Sequence, residues 1–251
     1  MPDDSSLAAR RGGSGDATLL LLHGLGATAA VWDGLTELLD DAWPGEWIAP
    51  DLPGHGASAP LPRYSFGGLA AAVAPLVEPG RRTVVMGHSL GGVLALTLAS
   101  GWFGVPVAAA IGIGIKLAWS TDELTRAAEL AARPARVFDD RAQAVDRAIK
   151  VAGLAGLVTA DSPFADSAVV TAAGGGHRPA LDQAAFGVGE PDIAGLLAAA
   201  RAEVRLAAGE RDPMCTPAQL AAFPGSVVLP GLGHNAHVED PAAVLALLTR
   251  P

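Results

Sequence analysis

Cysteine is all but missing from this 251-residue chain. Cys215 stands alone, which excludes an intrachain disulfide and a cysteine-held metal cluster. Basic residues are few, 17 Lys and Arg against 26 Asp and Glu, and the net charge is −9. That balance excludes the clustered positive footprint of a nucleic-acid-binding protein. The acidity serves solubility and names no basic partner. Long apolar runs are missing too. The longest, around 105–115, contains Gly112 and Gly114 and is far shorter than the ~18 residues of a membrane span. The first residues, Met1-Pro2-Asp3-Asp4-Ser5-Ser6, lack the basic and apolar regions of a signal peptide. We therefore expect a cytoplasmic protein that binds neither nucleic acid nor membrane. Its oligomeric state is left open.

What is present is apolar and rich in alanine: 50% hydrophobic residues against 17% charged ones, enough for one large core or two small ones. The most informative stretch is Val84-Val85-Met86-Gly87-His88-Ser89-Leu90-Gly91-Gly92. A β-branched run enters it and a small-residue, Leu-rich run leaves it, which predicts a buried strand, a sharp turn and a buried helix. Ser89 sits in a Gly-x-Ser-x-Gly pentapeptide on that turn, its hydroxyl pushed clear of the chain. In a chain with 31 glycines the pentapeptide alone is a weak signal; a Gly-rich turn with a Ser cap is the plain alternative. The strand before it and the helix after it strengthen the match.

Residues 1–16 read as a polar tail with room for one short edge strand. The run at 17–22, continuous in apolar residues and ending in His23-Gly24-Leu25-Gly26, fits a strand covered on both faces. A helix is expected near 29–39, a strand at 46–50, a tight loop at 51–58 and a helix at 64–77. After the serine turn and its helix comes a strand at 107–115. Alternating strands and helices predict an α/β fold with a parallel central sheet flanked by helices. From Lys116 the alternation stops. Helices are expected at 121–132, capped by Thr121, at 140–151, and a short one at 179–186, with a turning stretch at Ala173-Gly174-Gly175-Gly176 and no strand. We read 116–190 as a helical lid on a core made of 1–115 and 191–251. The alternation then resumes: helix 192–200, strand 203–208, helix 216–222, strand 226–229 and a closing helix 241–248.

Ligands gather at the carboxyl ends of strands in parallel α/β sheets. Here those ends carry His23-Gly24, Ser89, Asp212 and His234, with the last three in the order Ser, Asp, His. The motifs Leu22-His23-Gly24-Leu25-Gly26, Asp51-Leu52-Pro53-Gly54-His55-Gly56, Gly87-His88-Ser89-Leu90-Gly91, Gly209-Glu210-Arg211-Asp212 and Gly233-His234-Asn235-Ala236-His237 cover nearly the whole chain. In this order the sequence resembles the α/β-hydrolases, as a lidded, single-domain serine esterase-like member. One departure is at the front, where the family often opens with an antiparallel hairpin and this chain has little room for it. The sheet is expected to be one strand short there.

The resemblance implies Ser89 as nucleophile, His234 as general base and acid, and Asp212 as the group that orients the imidazole. It implies an oxyanion hole from the backbone N–H groups of Leu25 and Leu90, and neither a cofactor nor a metal. Each residue has a plainer reading. Asp212 precedes Pro213 and could begin a turn. His237 competes with His234 but falls nearer the start of the last helix. His23, His55 and His88 are structural in such proteins, and Asp51 is a loop-fixing acceptor. Trp32 and Trp119 either line the acyl pocket or fill the core. Lys116 either meets an anionic group or snorkels at the surface. Met214 and Cys215 read as packing.

The expected reaction is hydrolysis of a carboxylic ester of a small or medium, largely apolar small-molecule substrate through an acyl-serine. The same triad also serves cleavage of a C–C, thioester or amide bond. A different class, a receptor-like protein that binds a small molecule with little turnover, stays open.

Overall fold

The computed structural model describes residues 7–249. The acidic first residues, 1–6, lie outside that range, and so does any test of how they are arranged.

The strands are β1 (Ala9–Gly13), β2 (Ala17–Leu22), β3 (Glu46–Pro50), β4 (Arg82–His88), β5 (Val107–Ile113), β6 (Val169–Thr171), β7 (His177–Pro179), β8 (Glu203–Gly209) and β9 (Val227–Leu229). Seven of them form one sheet in the order β1-β3-β2-β4-β5-β8-β9. β1 runs antiparallel to β3 and the other pairings are parallel. At the front, where little room was expected, a single antiparallel edge strand, β1, is present.

The apolar runs follow from the layering. Along β2, Leu19 and Leu21 join a core on one face of the sheet while Leu20 and Leu22 join a core on the other. β4 divides in the same way, with Val84 and Met86 on one face and Val85 on the other. A strand covered by helices on both faces needs no polar alternation. At ~25 cal/mol per Å², each fully buried leucine contributes about 2 kcal/mol before entropy is counted. The parallel strands all deliver their carboxyl ends to one edge.

Several local expectations change. The helix expected at 29–39 is broken into a 3-10 turn, Ala29–Trp32, and two single-turn helices, Asp33–Thr36 and Leu39–Ala42. The helix expected at 64–77 runs Phe66–Val73 and tightens to a 3-10 turn, Ala74–Leu76, at Pro75, which has no N–H to continue the ladder. Ser120, not Thr121, caps the helix Thr121–Ala131: its hydroxyl accepts from the Glu123 N–H while the Glu123 carboxylate accepts from the Ser120 N–H. The segment 116–190 is not free of strand. β6 and β7 pair as a small antiparallel hairpin across the Gly174-Gly175-Gly176 turn. Strands of three residues are too short to show a period, which is why the sequence pattern hides them. The short helix expected at 179–186 forms later, as a 3-10 helix at 183–188, because Pro179 still belongs to β7.

Candidate active site

Ser89 follows the last residue of β4 and precedes the helix Leu90–Ala99. It adopts φ 50° and ψ −112°, and among the described residues it is the only non-glycine with positive φ. Such a conformation costs on the order of 1–3 kcal/mol and persists only where the surroundings impose it. Here the Ser89 N–H donates to the Ile113 carbonyl (2.8 Å) and its own carbonyl accepts from Val93 (3.1 Å). The spacing of strand and helix demands the two flanking glycines. A Cβ on Gly87 would collide with the Gly91 carbonyl, and one on Gly91 with the Leu22 carbonyl of β2.

Two strands away, Asp212 follows β8 and is 2% exposed. Its Oδ1 accepts from the N–H groups of Met214 (2.8 Å) and Cys215 (3.3 Å). Its Oδ2 lies 3.0 Å from Nδ1 of His234, in the loop after β9. A carboxylate accepts only, so the His234 Nδ1–H is the donor and the Nε2 lone pair is left free. Gly114, at φ +60°, passes beside this pair: a Cβ there would lie 3.1 Å from the Asp212 carboxylate and 3.2 Å from the imidazole. His234, not His237, is thus the histidine that meets the acid. His237 is 1% exposed, sits in the short helix Ala236–Glu239 rather than the last helix, and packs against Trp32. Neither of its ring nitrogens has a partner, and burial lowers its pKa to about 3.

Ser89 and His234 line one cavity of about 290 Å³. Leu25 and Leu90 line it too, as do Lys116 and Trp119. Its wall is otherwise mostly apolar, with Phe66, Val93, Val151, Phe186, Val188 and Met214. The Gly24 carbonyl is held by the Ala27 N–H (3.1 Å) and by Nδ1 of His23 (2.8 Å). In a trans peptide the next N–H points the opposite way, so these bonds fix the direction of the Leu25 N–H.

Trp32 corrects one expectation. It is fully buried in the core against His237 and takes no part in the cavity wall. Its place is set by the Ala29–Trp32 turn, which folds back onto the sheet. Lys116 is held by Glu123 through a 2.6 Å ion pair. His23, His55 and Asp51 do loop-fixing work: His23 Nε2 accepts from Leu52 (2.9 Å), His55 Nδ1 donates to Pro53 (3.0 Å), and Asp51 accepts from Ala29 and Ala57. Burial brings His23 down to about 4 and His55 to about 3, so both stay uncharged. Burial, helped by Asp212, pushes the Cys215 thiol up to about 12, which removes it as a nucleophile at neutral pH. Phe66, Val93, Val151 and Val188 escaped sequence reading. They come from separate segments, and no spacing links them.

A strained serine at a strand-to-helix turn and an acid-bound histidine thus line one cavity at the carboxyl edge of a parallel sheet. A model of the Alpha/beta hydrolase family matches residues 19–247, and the chain belongs to that family. It is similar to the pimeloyl-[acyl-carrier protein] methyl ester esterase of Klebsiella pneumoniae subsp. pneumoniae, 38% identical over 87 residues, 35% of this chain and 32% of that protein. The matched stretches span about a third or less of the curated relatives' own length, 27% for the first of them. Among solved structures, a thioesterase domain from the curacin biosynthetic pathway superposes with a TM-score of 0.78 at 23% identity, covering 96% of this chain and 94% of that one. E-2-(acetamidomethylene)succinate hydrolase gives 0.74 at 26%, covering 96% and 92%. No helix among the described residues is long and apolar enough to cross a membrane.

Proposed function

We propose that the protein is a serine hydrolase that cleaves a carboxylic ester of a small or medium, largely apolar substrate. The observation that carries this reading is the meeting of Ser89 and the Asp212-bound His234 in one apolar cavity. His234 Nε2 takes the proton as Ser89 Oγ attacks the ester carbonyl. The tetrahedral oxyanion is met by the N–H groups of Leu25 and Leu90, the second at a helix N-terminus; one such donor is worth about 3 kcal/mol. His234 then returns the proton to the departing alcohol, leaving an acyl-serine. Water attacks that ester with His234 again as base, releasing the acid and restoring Ser89. The relative named as a methyl ester esterase supports an ester as the scissile bond. We further propose that 116–190 is a lid on the core: Lys116, Trp119, Val151 and Phe186 belong to it and all line the cavity.

The test is hydrolysis of p-nitrophenyl esters of increasing acyl length by wild type, Ser89→Ala and His234→Ala. Turnover that collapses by several orders of magnitude in both variants supports the reading, and the optimum length sizes the pocket. A wild type inert on every ester, or a Ser89→Ala variant as active as wild type, overturns it.

A further inference from the structure

Resting on the ester-hydrolase reading above, we infer that Asn235 is a positioning residue for His234. Its side chain ties the loop of the proposed base to the end of the helix Arg141–Val151, so that the segment walling the cavity also sets where the base stands. Two bonds of this loop stay within the core. The Gly233 N–H donates to Glu239 Oε2 (2.8 Å), and the His234 carbonyl accepts from His88 Nε2 (2.9 Å). A further one crosses over: Asn235 Nδ2 donates to the Gly153 carbonyl at 3.0 Å, 82 residues away in sequence. Asn235 is 4% exposed, so little water competes for that bond. Its own carbonyl accepts from the N–H groups of Val238 (2.8 Å) and Glu239 (3.0 Å), which roots it in the helix Ala236–Glu239.

The accepting end is equally fixed. Gly153 stands just past the helix Arg141–Val151 and its cap Ala152, at φ +70°. The Gly153 N–H donates to the Lys150 carbonyl (3.2 Å) and the Leu154 N–H to the Ile149 carbonyl (2.9 Å). This pair of bonds closes a helix on a left-handed glycine and sets the direction of the carbonyl that follows. Leu154 is fully buried and anchors the turn. A Cβ on Gly153 would lie 3.3 Å from Asn235 Nδ2, so the close approach itself favours glycine.

The same helix end meets the other half of the proposed machinery. Val151, Ala152 and Gly153 all line the cavity of Ser89 and His234. A Cβ on Gly26 would lie 2.7 Å from Val151 Cγ1, so the turn that carries the Leu25 N–H runs against Val151. One short piece of chain therefore touches the loop of the oxyanion donor on one side and the loop of the base on the other. Misplacement of a reacting group by a fraction of an ångström is costly, and a rigid spacer between donor and base prevents it. Asn235 is the bond through which that spacer holds the base.

The test compares the p-nitrophenyl and phenyl esters of one acid. The p-nitrophenolate departs without a proton, whereas the phenolate depends far more on the proton His234 returns. A displaced base therefore costs more on the phenyl ester, while a mere loss of folded enzyme lowers both by the same factor. For Asn235→Leu, which keeps the volume and removes the donor, we expect kcat/KM on the p-nitrophenyl ester to fall about fivefold, the worth of one neutral hydrogen bond. On the phenyl ester we expect a further loss of at least about twofold. Ser167→Ala breaks a different bond between 116–190 and the core, Thr28 Oγ1 to Ser167 Oγ at 2.7 Å, and should leave the ratio of the two esters unchanged. If the leucine variant does not fold, Asn235→Ala is judged by the same ratio. Rates within twofold of wild type on both esters, equal losses on both, or a ratio moved as far by Ser167→Ala would overturn the inference and leave the esterase reading standing. A wild type inert on both esters overturns that reading and this inference with it.

Discussion

His88 donates from Nε2 to the backbone carbonyl of His234 at 2.9 Å, and the two rings lie 4.6 Å apart. The residue just before Ser89 thus fastens the loop that carries the proposed base. Burial, then the neighbouring His237 and His234, hold the His88 pKa well below its ordinary value, so the bond is made by a neutral ring. His88→Phe keeps the ring and removes the donor. We expect kcat/KM on a p-nitrophenyl ester to fall about fivefold, the loss of roughly 1 kcal/mol of positioning, with a displaced acid limb in its pH profile. His88→Gln, whose amide nitrogen reaches the same carbonyl, restores part of both. Equal profiles for all three proteins would remove His88 from the positioning of His234.

The strain at Ser89 gives a trade of activity against stability. Ser89→Gly removes the nucleophile and also the Cβ that makes φ 50° costly. Relief of the strain, less the extra chain entropy of glycine, should raise stability by about 1 kcal/mol. That corresponds to roughly 2–4 °C in Tm for a domain of this size. Thermal unfolding of Ser89→Gly beside Ser89→Ala checks it; a glycine variant no more stable than the alanine variant would show that the turn is not strained.

Asp212→Asn separates orientation from shape. The amide oxygen can still accept from Met214, but the amide nitrogen would face His234 Nδ1 as a donor and favour the wrong tautomer. A fall in kcat of about four orders of magnitude is expected, measured as steady-state ester hydrolysis. A loss under tenfold would contradict the assignment of Asp212.

Buried neutral histidines set the acid side of the stability curve. His23 is lowered to about 4, and His55 and His237 to about 3, each chiefly by burial. In the unfolded chain they take up protons near 6.5, so below that pH the unfolded state binds more protons and stability falls as pH falls. Each contributes up to about 1.4 kcal/mol per pH unit between 6.5 and its folded value. Urea unfolding from pH 7.5 to 5 should show the decline, and His237→Phe should make it shallower by about one proton. An unchanged slope in His237→Phe would show that this ring is not held neutral by burial.

The places of the proposed reacting groups were readable because a parallel sheet sends the carboxyl ends of its strands to one edge. Ser89, Asp212 and His234 each follow a strand that an apolar run betrays, and the glycines around Ser89 answer a steric need visible as Gly-x-Ser-x-Gly. The two-sided burial of β2 was equally legible, since Leu19 to Leu22 leave no polar face. Trp32 was not: an indole beside a loop can turn to core or cavity, and only the packing of the Ala29–Trp32 turn on His237 decides it. Of the rest of the cavity wall, Leu25, Leu90, Lys116 and Trp119 were legible. Phe66, Val93 and Val188 are neighbours through the fold alone. The Ser120 cap was lost to its neighbour Thr121 because both are good caps; the Glu123 partner three residues on marks the right one.

Whether Ser89 is an activated nucleophile is tested most directly by mass. The protein is treated with a fluorophosphonate, its intact mass is read, and the modified peptide is mapped. We expect one adduct per chain, on the peptide holding Ser89, absent from Ser89→Ala and formed far more slowly by His234→Ala. An unmodified wild type, or an adduct that persists in Ser89→Ala, would contradict the serine-hydrolase mechanism.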